Sequence, residues 1–294
     1  MRLAIFRIPC ALLLAATLAA PGLTQAQQRY PSAEAAAQAF HDAVARNDSA
    51  ALHQVLGADW KRFVPANDID QADLQAFLAA WDKAHKIVAT GPGKAALAVG
   101  DADWTLPIPL VAAGGSWRFD ARSGFDEMRT RRIGRNELAA MQAVLAYFDA
   151  QKEYAQRDRD GDGVLSYARR FASSPGQRDG LYWPTDAQGE SPLGPRFGGV
   201  KPGEGYHGYH YKILSAQGKD APGGAYDYVI GNRMRAGFAL VAWPIQYGET
   251  GITSFMISHA GLLYQKDLGP DGAAIARRMT SFNPDASWTR VDAP

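Results

Sequence analysis

Apolar residues recur at intervals of three and four after Ser32. Ala33, Ala37, Phe40 and Val44 share one stripe while Gln38, Asp42 and Arg46 fall on other faces, which predicts an amphipathic helix. Ser32, after Pro31, is placed to cap it, and Glu34 lies in the first turn, where the helix dipole favours an acid. Asn47-Asp48 interrupts the pattern and opens a second helix through Leu52, Val55 and Leu56. A third covers about residues 71 to 86, with Leu74, Phe77, Leu78 and Trp81 as its stripe. The period then shortens: 94–99, 104–111 and 116–120 read as strands, the middle one confined to an edge or an irregular element by Pro107 and Pro109.

Residues 126–136 are basic, contain Gly134 and read as a connector, so the boundary falls there: an α+β unit over 27–125 and a second unit over 126–294. The clearest helical stripe follows, Leu138, Met141, Leu145, Phe148 and Ala155, with Asn136 available as its cap. Residues 171–206 form a Gly-, Pro- and Ser-rich excursion carrying Tyr182, Trp183 and Phe197. Strand patterns then recur at 207–214, 225–230, 235–243, 252–258 and 261–266, with hairpin turns at Gly231-Asn232 and Ala260-Gly261. A last helix is expected near 271–280, and Trp288 is expected to fold back onto the sheet. The predicted class is α+β: a small helical and sheet unit, then a long helix packed on an antiparallel β-meander.

Residues 1–26 add a compartment. Arg2 and Arg7, the apolar run Ala11–Ala20, Pro21-Gly22 and the small site Thr24-Gln25-Ala26 have the layout of a secretory signal peptide cleaved after Ala26. The run is shorter than the roughly 20 residues of a membrane anchor, so the expectation is a periplasmic or secreted protein with no transmembrane anchor after cleavage. Cys10, the one cysteine, leaves with that segment, which removes disulfides, thiolate nucleophiles and cysteine-bound metals. Stability must then come from burial, for which about 268 residues suffice. Lys plus Arg number 31 against 30 Asp plus Glu, so net charge gives no footprint for nucleic acid.

The stretches "RRIGRNEL", "DRDGDGVLSYA", "RDGLYWP", "YHGYHYKIL" and "GFALVAWPIQYGETGITSF" resemble a bacterial exported family, domain of unknown function 2950, over essentially the whole chain after residue 26. That resemblance implies export and no particular activity. The opening "EAAAQAFHDAVARNDSAALHQVL" is similar to the start of a nuclear-transport-factor-2-like domain, implying an α+β cone over about residues 31 to 120. The helix "LAYFDAQKEYA" and the hairpin from Phe255 through Gly261 to Tyr264 resemble a type IV pilin or pseudopilin head. True pilins begin with a membrane-spanning half-helix, and nothing apolar precedes Leu138, so the resemblance implies a head without filament assembly.

The sharpest chemical motif is Asp158-Arg159-Asp160-Gly161-Asp162-Gly163-Val164-Leu165-Ser166. Carboxylates at positions 1, 3 and 5, glycine at 6, the Val164 carbonyl at 7, Leu165 directed to the core at 8 and Ser166 at 9 match the first nine positions of an EF-hand loop. These five oxygen donors, Asp158, Asp160, Asp162, Val164 and Ser166, point to a structural Ca2+. Position 12, which should be a bidentate Glu, is Arg169, so an outside acid such as Glu153, Asp179 or Glu190 would have to complete the cage. The plainer reading is an exposed turn whose arginines, Arg157, Arg159 and Arg169, offset the repulsion among its acids.

Other chemistry is thinner. His207 and His210 on a strand point to opposite faces, which disfavours a shared zinc. No G-x-S-x-G or phosphate-loop pattern occurs, and Arg129, Arg131, Arg132 and Arg135 read as a solvated face paired with nearby acids. The function expected is a non-catalytic cell-envelope protein, a binding or scaffold module for an unknown envelope protein or polymer. The alternative is a periplasmic hydrolase of an envelope polymer with a site near 179–211, which would bring His207 or His210 together with Asp179 or Glu190.

Overall fold

A computed structural model describes residues 27–63, 71–102, 104–159, 161–186, 189–194 and 204–291. Residues 1–26, expected to be a signal peptide, lie outside them, as do Asp160 and Phe197. The chain divides into two compact units, the first ending at Phe125 and the second beginning at Asp126. The architecture is α+β.

The first unit opens with α1 (Ala33–Ala45), α2 (Ser49–Leu56), α3 (Trp60–Phe63) and α4 (Gln71–Lys83). Its sheet holds β1 (His85–Gly91), β2 (Lys94–Val99), β3 (Trp104–Thr105), β4 (Leu110–Ala113) and β5 (Ser116–Phe119), in the order β1-β2-β4-β5 with β3 also paired to β2. Ser32 accepts a hydrogen bond from the Ala35 N–H at 3.1 Å, and Asp48 accepts from Ala50 and Ala51, so both helix starts are capped by the predicted chemistry. Ala33, Ala36, Ala37, Phe40, Ala43 and Val44 form the buried stripe of α1. Phe40 meets the Phe119 ring at 5.3 Å and the Phe77 ring at 5.6 Å. The third predicted helix stops at Lys83 rather than 86, because β-branched Ile87 and Val88 pair with β2 as part of β1. The strand expected over 104–111 is two short ones, since Pro107 and Pro109 supply no N–H to a ladder.

Helix α5 (Ala121–Tyr154) is 34 residues long. It therefore begins well before the predicted cap, and residues 126–136, expected as a connector, are helical. Pairs one turn apart, Asp126–Arg129 at 3.2 Å and Glu127–Arg131 at 2.7 Å, support this polar stretch. Arg132 binds the Glu249 carboxylate at 2.9 Å, and Glu137 accepts from the Ile252 and Thr253 N–H groups, both at 2.9 Å. Asn136 is consequently no cap; its amide donates to the Thr250 carbonyl at 2.8 Å. The buried stripe is Ala140, Val144, Tyr147, Gln151 and Tyr154, whereas Leu138 is 55% exposed and Met141, Leu145 and Phe148 flank the core.

After α5 come β6 (Tyr209–Leu214), β7 (Ala216–Gln217), β8 (Tyr226–Asp227), β9 (Val229–Ile230), β10 (Arg233–Met234), β11 (Ala239–Pro244), β12 (Thr253–Ser258) and β13 (Leu263–Asp267). Then follow α6 (Gly272–Arg278), β14 (Ser281–Phe282) and β15 (Thr289–Val291). The main sheet runs β15-β13-β12-β11-β6, antiparallel throughout, with β11 buried along its whole length. β7, between β14 and β8, pairs parallel with the first and antiparallel with the second. Phe238, Phe255 and Phe282 are essentially fully buried, each worth about 2–3 kcal/mol of apolar transfer. Trp288 joins this core, as its sequence position suggested. Among the described residues no helix is long and apolar enough to cross a membrane.

Candidate functional site

The excursion after α5 is fastened to the second unit at three places. Buried Gln151 donates to the Ala168 carbonyl at 2.8 Å and accepts from the Ala168 N–H at 2.8 Å. The Tyr167 N–H donates to the Met234 carbonyl at 2.7 Å, laying the chain beside β10. Residues 170–173 and 181–182 form a short ladder through Leu181 N–H to Arg170 at 3.2 Å, Tyr182 N–H to Phe171 at 2.8 Å and Ser173 N–H to Tyr182 at 2.8 Å. The β9–β10 turn takes its predicted form: Gly231 and Asn232 both have positive φ, +55° and +66°, as a two-residue hairpin requires.

Together these segments surround a cavity of about 760 Å3, a size ordinary for small-molecule sites. Among the described residues five arginines line it, Arg159, Arg169, Arg170, Arg178 and Arg233, with one carboxylate, Asp179. The Arg159 guanidinium lies 5.3 Å from the centroid of the Tyr154 ring and 5.2 Å from that of Trp183, and the Arg178 guanidinium lies 5.1 Å from that of Trp183. Partial burial lowers the Arg159 pKa, followed by the nearby Arg157 charge. Asp179 is the opposite case. Burial would raise its pKa, but hydrogen bonds from the Ser174 N–H at 2.7 Å and hydroxyl at 2.9 Å, with Arg170 at 3.2 Å, outweigh it and hold the carboxyl below its usual range.

Of the predicted metal ligands, Asp158 accepts from the N–H of Gly161 at 2.8 Å and of Gly163 at 2.7 Å, closing the loop around its carboxylate. Asp162 accepts from the Val164 N–H at 3.0 Å and pairs its other oxygen with Arg233. Val164 and Ser166 are half-buried, and Ser166 lines the cleft. Leu165 does not point into the core: it is 56% exposed, because the chain turns inward at Tyr167 and Ala168 instead. Arg169, at the twelfth position, donates to the Asn232 carbonyl at 3.0 Å and side-chain oxygen at 2.7 Å. Among the described residues no three His, Cys, Asp or Glu side chains are grouped to hold a metal ion; Asp160 is not one of those residues.

The groups invoked for hydrolysis are separately engaged. His207, with φ of +50°, packs on Tyr206 at 4.0 Å, and His210 lies opposite Trp243 in the β6–β11 ladder. Among the described residues no hydrogen bond or ion pair joins either histidine to Asp179 or Glu190. The arginine cleft was not anticipated from the sequence; only the density of arginine beside Tyr154, Tyr167 and Trp183 over residues 157–178 hinted at it.

The fold and cleft define an α+β protein with a ligand-sized cationic depression and an aromatic backing. The chain belongs to the family described as protein of unknown function (DUF2950), which it matches over residues 27–291. No curated protein and no solved structure matches it.

Proposed function

We propose that this is an exported, non-catalytic binding module of the cell envelope, and that its arginine cleft receives an anionic envelope component. The observation that carries this reading is the gathering, among the described residues, of five arginines around one carboxylate in a chain of near-neutral net charge. Guanidinium forks match carboxylate and phosphate oxygens, and the aromatic rings behind Arg159 and Arg178 hold them in place. Asp179 is kept ionised by Ser174 and Arg170, which suits a fixed anchor rather than a general acid.

The signal-peptide pattern of residues 1–26 supports a periplasmic or secreted location after cleavage. The order of α5, excursion and antiparallel sheet supports the likeness of the second unit to a pilin head. A structural Ca2+ would be held by Asp158, Asp160, Asp162, the Val164 carbonyl and Ser166, where it would order the loop beside the cleft. The backbone wrapped around Asp158 favours that reading; the Asp162–Arg233 contact competes with it.

The test is to incubate purified protein with polygalacturonate and with a neutral glucan across a salt series. Salt-sensitive retention of the anionic polymer alone, with no shortening of it over hours, is the expected outcome. Equal retention of the neutral polymer would overturn the cationic-cleft reading, and release of oligomers would overturn the non-catalytic one.

A further inference from the structure

The five cleft arginines are not equivalent. Three are met by carboxylates of the chain itself: Arg170 by Asp179 at 3.2 Å, Arg178 by both oxygens of Asp186 at 2.7 Å, and Arg233 by Asp162. Arg159 and Arg169 have no carboxylate within ion-pair distance among the described residues. Arg169 is held by the neutral oxygens of Asn232, and Arg159 by the Tyr154 carbonyl at 3.5 Å and two aromatic faces. Two guanidinium charges of one cleft are thus oriented by groups that do not neutralise them.

Building on the reading of the cleft as an anion site, we infer that Arg159 and Arg169 are its anchoring pair and that the ligand is a polyhydroxylated molecule carrying two anionic groups. Each arginine pairs bidentately with one oxyanion, carboxylate or phosphate, the chemistry both sources share. A ligand with a single anionic group leaves one of the two guanidinium forks without a partner, so the site discriminates by the number of anionic groups. Ser166 and Gln177, which also line the cleft, present a hydroxyl and an amide to ligand hydroxyls. Arg170, Arg178 and Arg233 stay with their own carboxylates and do not anchor the ligand.

The inference is tested by calorimetric titration at low ionic strength with two pairs of probes: digalacturonate against galacturonate, and glucose 1,6-bisphosphate against glucose 6-phosphate. In at least one pair the probe with two anionic groups is expected to bind at least ten-fold more tightly than the probe with one. The pair that shows this preference identifies carboxylate or phosphate as the source. R159Q and R169Q each erase the preference, R169K recovers part of it, and R170Q keeps it, all with unchanged circular dichroism. Equal affinities within both pairs, or an R170Q loss matching that of R159Q, overturns the inference while leaving an anion cleft standing. Absence of binding by all four probes overturns the cleft reading itself.

Discussion

Gln151 and Ala168 exchange two hydrogen bonds of 2.8 Å each, the side-chain amide of α5 matching the N–H and carbonyl of a single backbone residue seventeen positions on. The same amide nitrogen lies 3.0 Å from the Tyr147 hydroxyl, which donates to the Ala239 carbonyl at 3.2 Å, so the contact extends from the excursion to β11. Gln151 is fully buried, and each group that it satisfies would otherwise be left without water. Gln151→Leu is expected to destabilise the second unit by about 2–4 kcal/mol, read by urea denaturation. A change below about 0.5 kcal/mol would show that the pairing is not needed.

Gly180 is a position where no side chain fits. A Cβ there would lie 2.7 Å from the Ala172 carbonyl carbon and from the Ser173 nitrogen, both backbone atoms of the facing strand of the ladder. Gly180→Ala must push that ladder apart and is expected to cost about 1–3 kcal/mol. Thermal melting checks this outcome.

Titrating Ca2+ into metal-free protein is expected to raise the melting temperature, and Asp158→Asn to abolish the rise, since ligand binding to the folded state stabilises it by mass action. Asp162→Asn should remove the same rise while also weakening its ion pair with Arg233. A melting temperature that stays flat to millimolar Ca2+ means that the loop is an ordinary turn.

Acid should weaken the fold through two histidines. Burial, then the Arg277 charge, lowers the pKa of His210; burial lowers that of His259 against an opposing hydrogen bond at Phe238. Both native values lie below the ordinary 6.5, so the unfolded chain takes up these protons first. This contribution is whole above the unfolded value and is lost as pH falls through the native values. Denaturation midpoints measured between about pH 7 and 5 should therefore decline, and less steeply in His210→Gln. Identical slopes in variant and parent would remove His210 from the account.

Mass spectrometry of protein recovered from the periplasm or medium is expected to show Gln27 as the first residue, following cleavage after Ala26. Recovery of intact chain from the cytoplasm alone would contradict export.

Elements governed by local rules were the legible ones. Ser32 and Asp48 cap as their side chains dictate, and Gly231-Asn232 makes its turn because both residues tolerate positive φ. The first half of α5 was not legible, because Arg129, Arg131 and Arg132 carry no apolar stripe and Glu249, the distant partner of Arg129 and Arg132, is not implied by spacing. The stripe of α5 itself was read one face away, since small Ala140 and polar Gln151 are buried while Leu138 is exposed. The cleft escaped for a related reason. Its arginines lie at 159, 169, 170, 178 and 233, and only the β9–β10 turn packed beside the excursion brings the last to the others, while acids elsewhere cancel them in the total charge.

Arg159 and Arg178 both rest on Trp183, whose ring is nearly buried. A ligand that draws either guanidinium away changes the electric field across that indole, so occupancy is written into its emission. The difference between parent and Trp183→Phe spectra isolates this signal from the remaining tryptophans. The platform that steadies the cations thereby serves as a built-in optical gauge of the cleft, usable before any ligand is labelled.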